Sequence, residues 1–172
     1  MKRICIVLTL STALALGACK KEPPETTPLP PQDTQTATPT PTPTQSMMNQ
    51  PGSQGHFSQA MAGADTIYFD TDRYNIDNED AAALRRQAEY LIQYPTARAT
   101  VEGHADERGT RDYNLALGER RANAAKNYLV SLGVPEARLR TVSYGEERPV
   151  ATGSTEAAWA RNRRAVTVMI QQ

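Results

Sequence analysis

Three residues whose types suit the capture of a charged small ligand lie close together in the chain: Asp106, Asn114 and Arg121. They sit in the run Val101-Glu102-Gly103-His104-Ala105-Asp106-Glu107-Arg108-Gly109-Thr110, then Tyr113-Asn114, then Leu117-Gly118-Glu119-Arg120-Arg121-Ala122. Asp106 falls where a strand should end, Asn114 at the start of the next helix, and Arg121 two turns along it. A loop folding back would gather an anion, an amide and a cation around one cleft. That set suits a zwitterion, because a carboxylate takes an ammonium group and a guanidinium takes a carboxylate through two parallel hydrogen bonds. The helix N-terminus adds backbone donors.

Plainer roles compete. Arg121 can pair with Glu119 or Glu107 on a solvated face, Asp106 can be a turn acid, and Asn114 can be a cap. His104 and Asp106, two apart, suggest a metal, but the folded half has no second His and no Cys. A closed zinc site is therefore not expected. His104 is instead expected to be a hydrogen-bonded structural residue. Arg163 and Arg164 are expected in structural ion pairs, and Trp159 in packing. A hydrolase would need a nucleophile with its base, a metal, or an acid pair in a cleft. His104 has no evident Ser or Cys partner, while a carboxylate pair stays open from sequence alone.

The elements that would position these residues follow from hydrophobic period and punctuation. Ile67-Tyr68-Phe69 is a short strand ending at Asp70. A helix over 79–94, capped by Asp77 or Asn78, places Ala81, Leu84, Ala88, Leu91 and Ile92 on one face, and Pro95 stops it. A second strand spans 99–103 with Val101 toward the core. The helix over 113–132 carries Leu115, Gly118, Ala122, Ala125, Leu129 and Leu132 at steps of three and four, with Gly133 as a left-handed cap. A strand over 139–144, a short helix over 156–162 and a strand over 165–170 complete the order β-α-β-α-β-(short α)-β. The expected fold is an α/β sandwich with helices on one face of a mixed sheet.

The rest of the 172-residue chain is different material. Lys+Arg and Asp+Glu are both 19, so no net field favours nucleic acid. Nine of the 12 prolines precede residue 60, and no Lys or Arg lies between Lys21 and Arg73. Residues 20–64 are rich in Pro, Thr, Gln, Ser and Gly, with a strict alternation from Thr38 to Thr44. Such a stretch buries too little apolar surface to offset its ordering entropy, so a disordered linker is expected, with His56 in it inert. Its reach would run from ~40 Å as a coil to ~130 Å extended. Lys2 and Arg3, an apolar 4–16 too short to span a bilayer, and small residues after it lay out a secretory signal over residues 1–18. The expected division is 1–18 signal, 19–64 linker and 65–172 folded domain.

Two resemblances add to this. Leu16-Gly17-Ala18-Cys19 resembles the bacterial lipobox, which implies cleavage before Cys19 and lipid on it; Lys20 in place of Asp implies the outer membrane. Tyr68-Phe69-Asp70, Gly103-His104-Ala105-Asp106-Glu107-Arg108-Gly109-Thr110, Arg120-Arg121-Ala122, Val142-Ser143-Tyr144-Gly145 and Asn162-Arg163-Arg164 resemble the OmpA-like peptidoglycan-binding domain over about 67–170. With lipobox and leash, the whole chain resembles the peptidoglycan-associated lipoproteins of the Tol-Pal system. The resemblance implies a non-enzymatic tether without cofactor or metal, which binds the stem peptide of peptidoglycan through diaminopimelate. It implies Asp106 and Arg121 as principal contacts, Asn114 at the loop–helix junction, Phe69 and Asp70 beside the cleft with Tyr74 nearby, and Leu117 on its floor. It implies peptidoglycan, TolB, other Tol proteins or OmpA as partners, with roles in envelope integrity and cell division. Replacing Asp106 or Arg121 is expected to abolish wall binding with the fold intact. Ala105 stands where the family often has Thr, and Gly118 where it often has Ser, so neither is expected to contact ligand.

Overall fold

The computed structural model describes residues 50–170; the signal, Cys19 and the linker up to residue 49 lie outside the described residues. The elements run α1 (Gln54–Met61), β1 (Thr66–Tyr68), α2 (Asn78–Gln93), β2 (Arg98–His104), α3 (Arg111–Ser131), a 3-10 turn (Glu136–Arg138), β3 (Leu139–Gly145), α4 (Glu156–Asn162) and β4 (Arg164–Ile170). The four strands form one mixed sheet in the order β1-β4-β2-β3. β4 is antiparallel to both neighbours, with Val166 opposite Thr66 and Thr167 opposite Val101, while β3 runs parallel to β2 with Thr141 opposite Val101. This is the expected α/β architecture.

Strand period sorts the two faces of the sheet. Ile67, Ala99, Val101, Ala165, Met169 and Leu139 are buried with Leu84, Leu91, Ala122, Ala125 and Leu129 from α2 and α3, whereas Thr100, Glu102, Val166 and Val168 on the opposite face are half-buried. The small residues of α3 let it press onto β2. A Cβ added to Gly103 would lie 1.8 Å from the Gly118 carbonyl oxygen, so only glycine fits there. Caps set the helix starts: Asp77 accepts from the Asp80 N–H, Thr110 from Tyr113 and Thr155 from Ala158. Gly133, at φ +100°, takes the left-handed conformation just past α3. Arg138 donates to the carbonyls of Leu91, Tyr94 and Ala97, satisfying acceptors left over at the end of α2.

Three expectations are corrected. Ile92 and Leu115 are exposed, not core; on α3, Leu117 is buried in place of Leu115. The larger correction is the domain boundary. Ordered structure begins before residue 65, because α1 forms inside the expected linker. Ser53 caps it, and Phe57 and Met61, one turn apart, are both buried in the core. Its physical reason is the shortness of β1. β1 pairs with β4 only from Thr66 to Tyr68, which leaves the outer edge of β4 bare further along. There Asp65 O accepts the Thr167 N–H at 2.9 Å and the Gln54 side-chain oxygen accepts the Met169 N–H at 2.6 Å. His56, expected to be inert, is also engaged: its Nδ1 lies 2.8 Å from the Tyr90 hydroxyl, and its ring packs edge-on against Tyr94.

Candidate functional site

A cleft of about 340 Å³ opens where β2 ends and α3 begins. Asp106, Asn114, Leu117 and Arg121, all expected from sequence, line it. Thr71, Asp72, Arg108, Gly109 and Tyr113 line it as well and were not expected. Phe69 is buried beneath the cleft, with the Arg121 guanidinium 5.2 Å from its ring centroid. Asp70 contributes its backbone carbonyl to Arg121, and its side chain is not in the cleft wall. Tyr74 is exposed and is not part of the wall.

Arg121 is 0% exposed, an unusual position for a guanidinium, and neutral acceptors hold it. Its Nε donates to Arg73 O at 2.9 Å, Nη1 to His104 O at 2.8 Å and Nη2 to Asp70 O at 3.1 Å. It thereby ties the loop after β1 to the end of β2. Burial, then the like charge of Arg163, pushes its pKa down to about 10, still fully cationic at neutral pH. Three of five N–H groups are used, leaving one on each Nη.

Asp106 forms the opposite pole. Its Oδ1 accepts the Arg108 backbone N–H and Nε, each at 3.0 Å; its Oδ2 accepts Arg108 Nη2 at 2.7 Å and Arg163 Nη1 at 3.4 Å. Burial alone would push this carboxyl up, but the hydrogen bonds and charge of Arg108, with Arg163, outweigh it and hold it below the usual carboxylate range. Arg163 also donates to Phe69 O and to Glu156, the structural ion pairing expected of it. Arg108 stacks 4.2 Å above Trp159, whose indole N–H donates to Glu107. Trp159 is thus a platform for a cleft residue more than core packing.

Asn114 is buried, and its amide nitrogen donates to Arg108 O at 3.1 Å and to the Glu146 carboxylate. Both amide hydrogens are used on protein, so Asn114 ties the Asp106 loop to the turn after β3. At the rim, the Tyr113 hydroxyl donates to Asp72, and Arg111 pairs with Glu147 at 2.6 Å.

His104 departs from expectation. It is buried, yet among the described residues neither ring nitrogen has a hydrogen-bond partner; Glu102 is 3.9 Å from Nε2 and the Tyr144 ring centroid is 5.6 Å away. Burial, then the charges of Arg164 and Arg148, pushes its pKa down to about 4, so the ring is neutral at physiological pH. Its backbone carbonyl, not its ring, serves the cleft.

A helix-covered mixed sheet with an anion and a cation converging at one end defines a small-ligand binding module. The chain belongs to the OmpA family, whose model matches residues 68–163. Within it the chain is similar to peptidoglycan-associated lipoproteins. The chain is 56% identical over 119 residues to that of Rhizobium meliloti (strain 1021), covering 69% of this chain and 66% of that protein, just under two thirds of its length. It is 51% identical to that of Brucella melitensis over 69% of this chain and 70% of the relative. The crystal structure of the peptidoglycan-associated lipoprotein from Burkholderia pseudomallei superposes with a TM-score of 0.60 at 46% identity, covering 61% of this chain and 89% of that one.

The missed residues had weak sequence signals. Arg108 stands two residues after Asp106 in a charged loop, a spacing at which a side chain can fold back onto a carboxylate. Thr71 and Asp72 belong to a polar loop with no period, and only the closure of that loop by Arg121 brings them to the cleft.

Proposed function

We propose that this protein is an outer-membrane lipoprotein of the Tol-Pal system, anchored through lipid on Cys19, whose periplasmic domain grips peptidoglycan non-covalently and links the two layers. The observation that carries the reading is the convergence of Asp106 and Arg121 on one cleft in a chain so similar to peptidoglycan-associated lipoproteins. The ligand is the stem peptide, held by the head of diaminopimelate, with its ammonium on Asp106 and its carboxylate on cationic donors of the cleft. Leu117 forms the apolar floor, and Asn114, Phe69 and Asp70 act by holding the loops in place. Tyr74 lies outside the wall of the cleft and takes no part in this reading. No chemistry is performed on the wall; the domain is a tether.

A few charge-assisted hydrogen bonds, less ordering costs, give a complex of about −8 kcal/mol, a micromolar site. The wall repeats its stem peptide, and a lipid anchor keeps the domain near it, so rebinding maintains engagement. The Pro/Thr-rich stretch 20–49 serves as the spacer between the lipid and the domain. TolB, other Tol proteins or OmpA are the partners this family membership suggests, with TolB docking over the same cleft and competing with wall fragments.

The test is co-sedimentation of a soluble form lacking residues 1–40 with purified sacculi. Pelleting that a diaminopimelate-containing stem peptide reverses supports the reading. Absence of pelleting, or release of soluble muropeptides by the pure protein, refutes it.

A further inference from the structure

The cleft is not open at its anionic end. A carboxylate has about four acceptor positions, and on Asp106 all four are filled, three of them by Arg108 and the fourth by Arg163. A ligand ammonium cannot reach Asp106 while the Arg108 side chain stays where it is. The buried Arg163 is tied to Phe69 O and Glu156 as well, so it is not the group that yields. Arg108 is: its side chain is 37% exposed, and among the described residues it holds, beyond Asp106, Thr71 at 3.2 Å, Glu156 at 3.7 Å and the Trp159 face.

The consequence of displacing Arg108 depends on the ligand. A bare ammonium takes Asp106 and leaves the Arg108 fork without a bidentate partner, beside the further cations Arg163 and Arg121. A ligand with ammonium and carboxylate on one carbon brings a replacement anion, and the guanidinium moves its two parallel hydrogen bonds from Asp106 to that carboxylate. Both protein charges then remain paired. Arg121 suits this role less, because the carbonyls of Asp70, Arg73 and His104 already hold it.

We infer that Arg108 is a specificity-determining residue, which makes the cleft select an amino-acid head over a bare ammonium by exchanging its ion pair with Asp106 for one with the ligand. The inference rests on the stem-peptide reading above and adds a residue and a discrimination to it. It separates two wall chemistries that differ by a single carboxylate: stem peptides with diaminopimelate at the third position and stem peptides with lysine there. Specificity arises because the wrong ligand takes the bidentate partner of Arg108 and supplies no replacement.

The experiment is calorimetric titration of the whole protein, purified in detergent, with L-alanyl-γ-D-glutamyl-meso-diaminopimelate and with the same tripeptide ending in L-lysine. Wild type, Arg108→Gln and Arg108→Lys are compared, with thermal melting to verify folding. Wild type prefers the diaminopimelate peptide. Arg108→Gln narrows that preference by about tenfold, the scale of one charge-assisted hydrogen bond, chiefly by tightening the lysine peptide. Arg108→Lys, which keeps the charge but loses the fork, falls between. An unchanged ratio in both variants, with wild-type binding intact, overturns the exchange and leaves the stem-peptide reading standing. Narrowing through lost diaminopimelate affinity alone also overturns it, since Arg108 would then be a simple contact. Failure of wild type to bind either peptide sinks the stem-peptide reading and the exchange with it.

Discussion

The floor and the rim of the cleft both present arginine, and they use it in opposite ways. Arg121 on the floor is fully buried and holds three neutral carbonyls, two from the loop after β1 and one from the end of β2. Arg108 on the rim is partly exposed and holds carboxylates, Asp106 closely at 2.7 Å and Glu156 more loosely at 3.7 Å. Removing Arg121 strands acceptors in the interior; removing Arg108 frees an anion at the surface. A guanidinium held by carbonyls acts as scaffold, and one held by a carboxylate is exchangeable, because another cation can take its place. The lesson is that a charged residue in a binding site has to be judged by what it touches before ligand arrives.

This difference sharpens into measurements of descending size. Arg121→Met should lower the free energy of unfolding by about 3–5 kcal/mol in urea titrations, because it leaves the carbonyls of Asp70, Arg73 and His104 without donors. A near-wild-type urea midpoint would place Arg121 with the rim. On this account Arg121→Ala, expected from sequence to spare the fold, should lower stability as well, which the same urea titration reads.

His104 tests the layer behind the floor. Its folded pKa of about 4 lies below the ordinary 6.5, so between these values the unfolded chain binds a proton that the folded chain refuses. Stability from this residue is complete above pH 6.5, falls with pH through that window, and is lost below about 4. The amplitude is about 3 kcal/mol. His104→Phe should flatten the wild-type stability profile over that range, and identical profiles would mean that the ring finds a proton acceptor after all.

Asp106→Asn removes the anion from the exchangeable pair. Retention on sacculi should fall at least about tenfold, the loss of one charged hydrogen bond or more. Smaller still is Tyr113→Phe, which deletes the exposed hydrogen bond to Asp72. It should leave the melting temperature unchanged within error, as exposed polar contacts do, and a clear drop would extend the scaffold to the rim.

How much of this was legible in the sequence tracks the same division. Repeating patterns could be read: the 3.6-residue stripe of α2 and α3, the strand alternation, and the Gly133 cap. So could the meeting of Asp106, Asn114, Leu117 and Arg121, because a strand end and the first turns of the next helix are local neighbours. The failures were long-range. Phe57 and Met61 are only two large apolar residues in polar sequence, and their helix exists because β4 outruns β1. Ile92 and Leu115 match the helical period but fall beyond the edge of the face that the sheet covers. Thr71, Asp72 and Arg108 come to the cleft through loop closures, and no local pattern encodes those. The role of His104 was misjudged because type and spacing do not say whether a buried side chain will find a hydrogen-bond partner.

The position of the ligand's ammonium decides between a tether with an exchangeable pair and a cleft of some other purpose. A crystal structure of the domain with L-alanyl-γ-D-glutamyl-meso-diaminopimelate should place that nitrogen within about 3 Å of an Asp106 oxygen, with Arg108 moved off the carboxylate and Arg121 unmoved. The peptide bound elsewhere, with the Asp106–Arg108 pair undisturbed, would contradict it.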